Sequence, residues 1–248
     1  LAIVRWSPLK SGFWAIVSLL VVSSFRKETR LTPRKIIQAL SDGAMDSLNV
    51  AIICAAAGII IGILSLTGLS LKFSQLLISL SMGIKPILLI LTMISALILG
   101  MGMTTTSVYI VLSVIVAPAL TRMGVAPLAA HLFVFYFGIL SAITPPVATA
   151  SYAAASLTKS SPTELGFEGW RLGIAGYIIP FMFIYSPTLL MEGTALGIVR
   201  SIITAIIGVY ALSASIEGYL YGKLNIFMRA ILVVSSLSLI YAGLATDI

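Results

Sequence analysis

The sequence predicts an all-α, polytopic membrane protein that contains a re-entrant helical hairpin and a discontinuous helix. Three observations carry this. Of 248 residues, 59% are hydrophobic and only 9% are charged. A soluble domain carries roughly 25% charged residues, so this chain has too few to cover a soluble core. The apolar residues come in long runs, which the strict alternation of a transmembrane β-barrel lacks. Two of those runs are broken in a particular way, one by a Gly/Thr-rich tip and one by a Pro-Pro pair. The same composition excludes disorder, collagen and a disulfide-rich scaffold. The formal charge is +7, but Lys and Arg gather in loops and at helix ends, which is the positive-inside pattern and not a nucleic-acid surface. No nucleic-acid partner is expected; the bilayer is. The lone Cys54 can form neither an internal disulfide nor a Cys-ligated metal site.

The elements follow in order. Gly12 to Phe25 is a short apolar run that begins near Pro8, with Trp6 and Trp14 as interfacial anchors. Arg26, Lys27, Arg30, Arg34 and Lys35 form the densest basic cluster and should face the cytoplasm. Thr32-Pro33 supplies a helix N-cap followed by proline at the first helical position. Ile36, Ile37, Leu40 and Ala44 then lie opposite Arg34, Lys35, Gln38 and Asp42, which predicts an amphipathic surface helix. It serves either as an arm or as an ordinary connector. Leu48 to Leu66 is a spanning segment with a small-xxx-small pair at Gly58 and Gly62, a pattern that lets helices approach closely. A short amphipathic piece follows from Leu71 to Met82.

Pro86 to Leu99 is too short to span comfortably, because about 20 apolar residues are needed. It leads into Gly100-Met101-Gly102-Met103-Thr104-Thr105-Thr106-Ser107 and a second short run, Val108 to Leu120, that contains Pro118. Two short arms around such a tip predict a re-entrant hairpin. Ala126 to Leu157 is too long for one span and is interrupted at Thr144-Pro145-Pro146. Neither proline donates a backbone hydrogen bond, so carbonyls upstream lose their partners. Lys159 to Gly169 reads as a polar loop or short surface helix. Leu172 to Met191 reads as a span kinked at Pro180 and Pro187. Leu196 to Ala214 and Ala230 to Ala245 complete the spans. In an alternating topology Lys159, Arg171, Lys223 and Arg229 fall on the side of the basic cluster, and Lys72, Lys85 and Arg122 border the hairpin, which would enter from the outer face. The organisation is thus 1–44, a membrane helix with the arm; 45–85, linking helices; 86–158, hairpin and broken helix; and 159–248, C-terminal helices. The chain opens on Leu1 without a signal-peptide cleavage pattern and reads as a piece of a longer polypeptide.

From Ala51 to Thr158 there is no Asp or Glu. Intramembrane proton relays are built from Asp, Glu or His, and His131 is the one such residue in this stretch. It is either a protonation switch or, the favoured reading, a packing histidine bonded to a neighbouring helix. The stretch does hold neutral oxygen ligands. Thr104, Thr105, Thr106, Ser107 and Thr144 offer hydroxyls, and the unwound backbone at Gly100, Gly102, Ala142 and Ile143 offers carbonyls. Broken helices of secondary transporters coordinate Na⁺ with such groups. The candidate ion site is therefore Gly100, Gly102, Thr104, Thr105, Thr106, Ala142 and Thr144, with Pro145 and Pro146 as the helix break. The blander alternative has the threonines bonding their own backbone and the prolines only kinking the helix. No phosphate loop, zinc motif or nucleophile–base pair is present, so neither enzyme activity nor a cofactor is expected beyond a coupling Na⁺. Glu192 and Glu217 read as interfacial.

Leu97 to Leu120, LILGMGMTTTSVYIVLSVIVAPAL, and Met123 to Ala155, MGVAPLAAHLFVFYFGILSAITPPVATASYAAA, resemble the second hairpin and broken helix of a TRAP (tripartite ATP-independent periplasmic) transporter large membrane subunit. Arg26 to Ser74 and the later RLGIAGYIIPFMFIYSPTLL resemble the branch in which small and large subunits are fused, a 4TM/12TM permease associated with TAXI-type binding proteins. The resemblance implies an elevator-type importer of small solutes such as organic acids in a prokaryotic cytoplasmic (inner) membrane, driven by an ion gradient, usually Na⁺. It implies a periplasmic substrate-binding protein as partner, and a chain that supplies one of two inverted repeats, with the N-terminal repeat and small-subunit region lying elsewhere. By the same resemblance, Arg34 to Ala44 is an arm helix and Na⁺ sits between the hairpin and Thr144. One departure stands at the tip, where the family has a proline directly before T-T and this chain has Thr104 in place of that proline. A non-transporting scaffold subunit of a larger membrane complex is the alternative.

Overall fold

The computed structural model describes residues 7–25, 32–220 and 222–240. Trp6, Arg26, Lys27, Arg30 and residues 241–245 of the last expected span lie outside them. The chain divides into two compact units, Leu1–Ala55 and Ala56–Ile248. All regular elements among the described residues are helical, apart from an isolated bridge between Tyr219 and Lys223.

In the first unit, α1 covers Pro8–Ser24, and the Ser7 hydroxyl caps it by accepting from the Lys10 N–H at 3.4 Å. Phe13 and Trp14 pack edge to face, and Phe13, Ile16, Leu19 and Val22 are exposed. α2 runs from Pro33 to Thr67 without interruption, with residues 33–55 in this unit and 56–67 in the second. The expected arm and the expected span are thus one 35-residue helix. The physical reason is that Gly43 alone, at about 1 kcal/mol, is too weak a breaker. The Ser47 hydroxyl, moreover, donates to the Gly43 carbonyl at 2.7 Å within the helix.

In the second unit, Gly68 at φ +65 ends α2 and turns the chain by 69° into α3, Leu69–Leu80. The hairpin consists of α4, Lys85–Gly100; a tip, 101–104; α5, Thr105–Ile115; and α6, Ala117–Arg122. Both arms are longer than the apolar runs suggested. Pro86 sits in the first turn of α4, and the Thr104 carbonyl starts α5 by accepting from the Val108 N–H. Pro118 marks the break at Val116 between α5 and α6. α7, Pro127–Leu140, packs along α4, α5 and α9 and passes into a 3-10 turn, Ser141–Ile143. α8, Thr149–Thr158, follows the break.

α9 covers Pro162–Tyr185. Of the segment expected as a polar loop or short surface helix, residues 162–169 are its first two turns, because the Ser161 hydroxyl accepts from the Glu164 N–H and Pro162 occupies the first helical position. Pro180 lies inside α9, whereas Pro187 terminates it and opens a 3-10 turn, Pro187–Leu190. α10, Ala195–Glu217, and α11, Ile226–Ile240, pair at the C-terminal end. Arg229 of α11 donates from Nε to the Ser215 carbonyl (2.7 Å) and from Nη2 to the Ile216 carbonyl (2.9 Å), where a cation meets the negative end of α10. By length and composition Thr105–Arg122 and Ala195–Glu217 can each cross a membrane, and the bent pair Cys54–Thr67 with Leu69–Leu80 makes a third if it counts as one span.

The core lies on α7. Phe133 and Phe137 are fully buried and stack edge to face at 4.8 Å, and both meet Phe181 of α9. Leu88, Leu89, Ala96, Leu112 and Leu120 close the cluster from the hairpin. Hydrocarbon gives apolar helices little reason to associate, so this packing rests on close contact and hydrogen bonds.

Candidate functional site

The hairpin tip and the broken helix meet where two glycines remove the side chains that would keep them apart. A Cβ on Gly100 would lie 2.7 Å from Ser141 Oγ and 3.1 Å from the Gly138 carbonyl. A Cβ on Gly138 would lie 3.0 Å from Leu112 and 3.2 Å from Val108. The end of α4 therefore meets the end of α7 backbone to backbone, and the Val108 and Leu112 side chains of α5 pack directly on Gly138. Ser141 is buried there, and its hydroxyl donates to the Gly138 carbonyl at 2.6 Å.

Beyond Ser141 the helix opens. Pro145 and Pro146 carry no N–H for the carbonyls of Ser141 and Ala142 four residues before them. Local groups fill part of the gap. Thr144 donates its N–H to the Ser141 carbonyl at 3.3 Å and its hydroxyl to the Leu140 carbonyl at 2.6 Å. That spends its only hydroxyl proton, so in its second bond Thr144 Oγ1 accepts from Tyr177 Oη of α9. One lone pair is left on Thr144 Oγ1. The Pro145–Pro146 peptide is cis, Ala148 takes φ +32 at the start of α8, and Tyr152 Oη donates to the Pro146 carbonyl at 2.7 Å.

α9 receives this broken segment along a row of glycines. A Cβ on Gly166 would approach Tyr152, one on Gly169 would approach Ser151, one on Gly173 Ile143, and one on Gly176 Leu140, all at 3.3 Å or less. A cavity of about 360 Å³ opens beside the break, lined by Met93 and Leu97 of α4, Thr144, Pro145, and Phe167, Trp170 and Tyr177 of α9.

The sequence-predicted site residues are thus only partly gathered. Gly100 is buried against Ser141, next to Ala142, and Thr144 lines the cavity. Gly102, at φ +76, gives the tip its turn. Thr105 and Thr106 are exposed, and Thr104 Oγ1 pairs with Ser107 Oγ at 2.9 Å. Thr104 adopts φ −71, the value a proline ring would impose, so the residue at the proline position keeps a proline-compatible backbone. Sequence reasoning missed Gly138, Ser141 and Tyr177. The 3-4-3 spacing of Gly166, Gly169, Gly173 and Gly176 was the readable signal for the seam that positions Tyr177. His131 Nδ1 pairs with Tyr109 Oη of α5 at 3.2 Å, the neighbouring-helix bond that the packing reading expects. Among the described residues no group of three or more His, Cys, Asp or Glu could hold a metal ion.

No curated protein and no solved structure matches the chain. The family described as "Tripartite ATP-independent periplasmic transporter, DctM component" matches residues 1–198. By that match, which covers most of its length, the chain belongs to the DctM component family of tripartite ATP-independent periplasmic transporters.

Proposed function

We infer that this chain forms the ion-coupled half of a TRAP permease, and that the coupling ion is Na⁺ held between the hairpin tip and the break at Thr144. The contact of Gly100 with Ser141 and Gly138 carries this reading. It brings the end of one interrupted element against another in a stretch with hydroxyls and carbonyls but no carboxylate. A monovalent cation suits neutral oxygen ligands, whereas an unpaired buried carboxylate would be costly. Thr144 Oγ1, with one lone pair left, and the Ala142 carbonyl, with no N–H from Pro146, are the ligands this chemistry favours. Gly102, Thr104, Thr105 and Thr106 would join as the tip closes.

In this reading the hairpin α4–α6 is re-entrant and the unit from α4 to α8 moves as an elevator in a cytoplasmic (inner) membrane. A periplasmic binding protein delivers a small solute such as an organic acid, and the other repeat and the small-subunit region complete the path. Uptake by the full-length permease with its binding protein, measured in vesicles against external Na⁺, tests this. Thr144→Ala should raise the Na⁺ concentration needed for half-maximal uptake roughly tenfold, as expected for loss of about 1.4 kcal/mol of ion binding. An unchanged Na⁺ dependence in that variant sinks the site. A scaffold subunit predicts instead that changes at Thr105, Thr106 and Thr144 alter assembly alone.

A further inference from the structure

We propose that the groove between α9 and α10 is a binding site for one zwitterionic phospholipid with a primary amine, a phosphatidylethanolamine. The groove has a volume of about 510 Å³ and is walled by Ile179, Met182 and Phe183 on α9 and by Ala205, Val209 and Ser213 on α10. Ser213 also lines a smaller cavity of about 110 Å³ that holds Arg171 and Glu217. An apolar slot thus runs into a charged one.

The dimensions select an acyl chain. Arg171 to Met182 is about 16 Å along the helix at 1.5 Å per residue, close to the ~15 Å of hydrocarbon in one leaflet. Over that length the two cavities together give a cross-section of about 40 Å², about half or less of the roughly 80–110 Å² of a helix that is 10–12 Å across with its side chains. The slot takes a chain and is too narrow for a helix.

The charges select the headgroup. Arg171 pairs through Nη2 with Glu217 at 3.0 Å and through Nη1 with Glu168 at 3.5 Å. Arg229 reaches the same helix end, with its donors on the Ser215 and Ile216 carbonyls. Two guanidiniums and two carboxylates leave no net charge, so an anionic headgroup gains little. A zwitterion places phosphate on the free N–H groups of half-exposed Arg171 and an ammonium on Glu217 or Glu168. An ethanolamine ammonium donates to those carboxylates. A choline group has no N–H to donate.

Native mass spectrometry of the purified, complete permease, titrated with phosphatidylethanolamine, phosphatidylglycerol and phosphatidylcholine of identical chains, tests the proposal. The ethanolamine lipid should be retained at concentrations at least tenfold below the other two. Glu217→Gln, which keeps size and removes one charge, should cut that preference at least threefold. Ala205→Trp should fill the slot and abolish retention; if that variant does not fold, Glu217→Gln decides alone. Equal retention of the three lipids, or an unchanged preference in Glu217→Gln, overturns the assignment.

Discussion

Two glycine-rich faces of this protein look alike in sequence and differ in three dimensions. On α2, Gly58 and Gly62 form a small-xxx-small pair, yet a Cβ at either would meet nothing within 4 Å. Around the broken helix, Gly100, Gly138, Gly169 and Gly173 have no room for one: neighbouring atoms would lie 2.5–3.0 Å from it. Small residues permit close approach; they do not say whether a neighbour has come. At the break the neighbours are within this chain. On α2 the open face leaves space for another part of the assembled transporter.

The strongest test of that contrast is Gly138→Leu. Its side chain would enter the space of Val108 and Leu112 on α5, which are fully buried and held by the core. Overpacking costs typically 1–3 kcal/mol, more where nothing can move. The expected result is a large loss of monodisperse protein in size-exclusion chromatography. Gly100→Ala comes next. The Ser141 hydroxyl can rotate away, but the Gly138 carbonyl is backbone and cannot, so about 1–2 kcal/mol of thermal stability should go, together with Na⁺-dependent uptake. A normal uptake curve in Gly100→Ala would separate the seam from transport.

Tyr177→Phe removes the donor to Thr144 Oγ1 and leaves Thr144 its bond to Leu140, so about 0.5–1.5 kcal/mol is expected on thermal denaturation. Smallest is Gly58→Ala. Within this chain a methyl there meets nothing, and alanine favours the helix by up to about 1 kcal/mol, so stability should hold or rise slightly. Loss of co-purification with the rest of the permease in that variant would show that the open face is a docking face.

Particular residues show how far the sequence could be read. Pro145 and Pro146 announced the break because proline lacks an N–H wherever it stands. Pro118, Gly102 and the Ser161-Pro162 start of α9 acted through equally local chemistry. The amphipathic arm and the span from Leu48 read as two elements, and the helix ran through both without a break. The Lys159–Gly169 segment reads as a polar loop or a short surface helix; Ser161 and Pro162 make residues 162–169 helical, but as the start of the long α9 and not as a separate element. The site was legible in its two halves and not in their meeting. Ser141 and Tyr177 are ordinary residues in sequence and become site residues only through what faces them.

What the sequence determined alone is what depends on single residues and on composition. Membrane residence followed from the charged fraction, the interruptions from proline and glycine, and the neutral character of the proposed ion site from the absence of Asp and Glu between Ala51 and Thr158. Tertiary structure decided which small-residue face is filled, which hydroxyl Thr144 meets, and where Gly100 comes to rest. These depend on pairs of residues far apart in the chain. Such pairs are chosen by the fit of whole helices, because apolar surfaces that all favour hydrocarbon alike give no other basis for choosing.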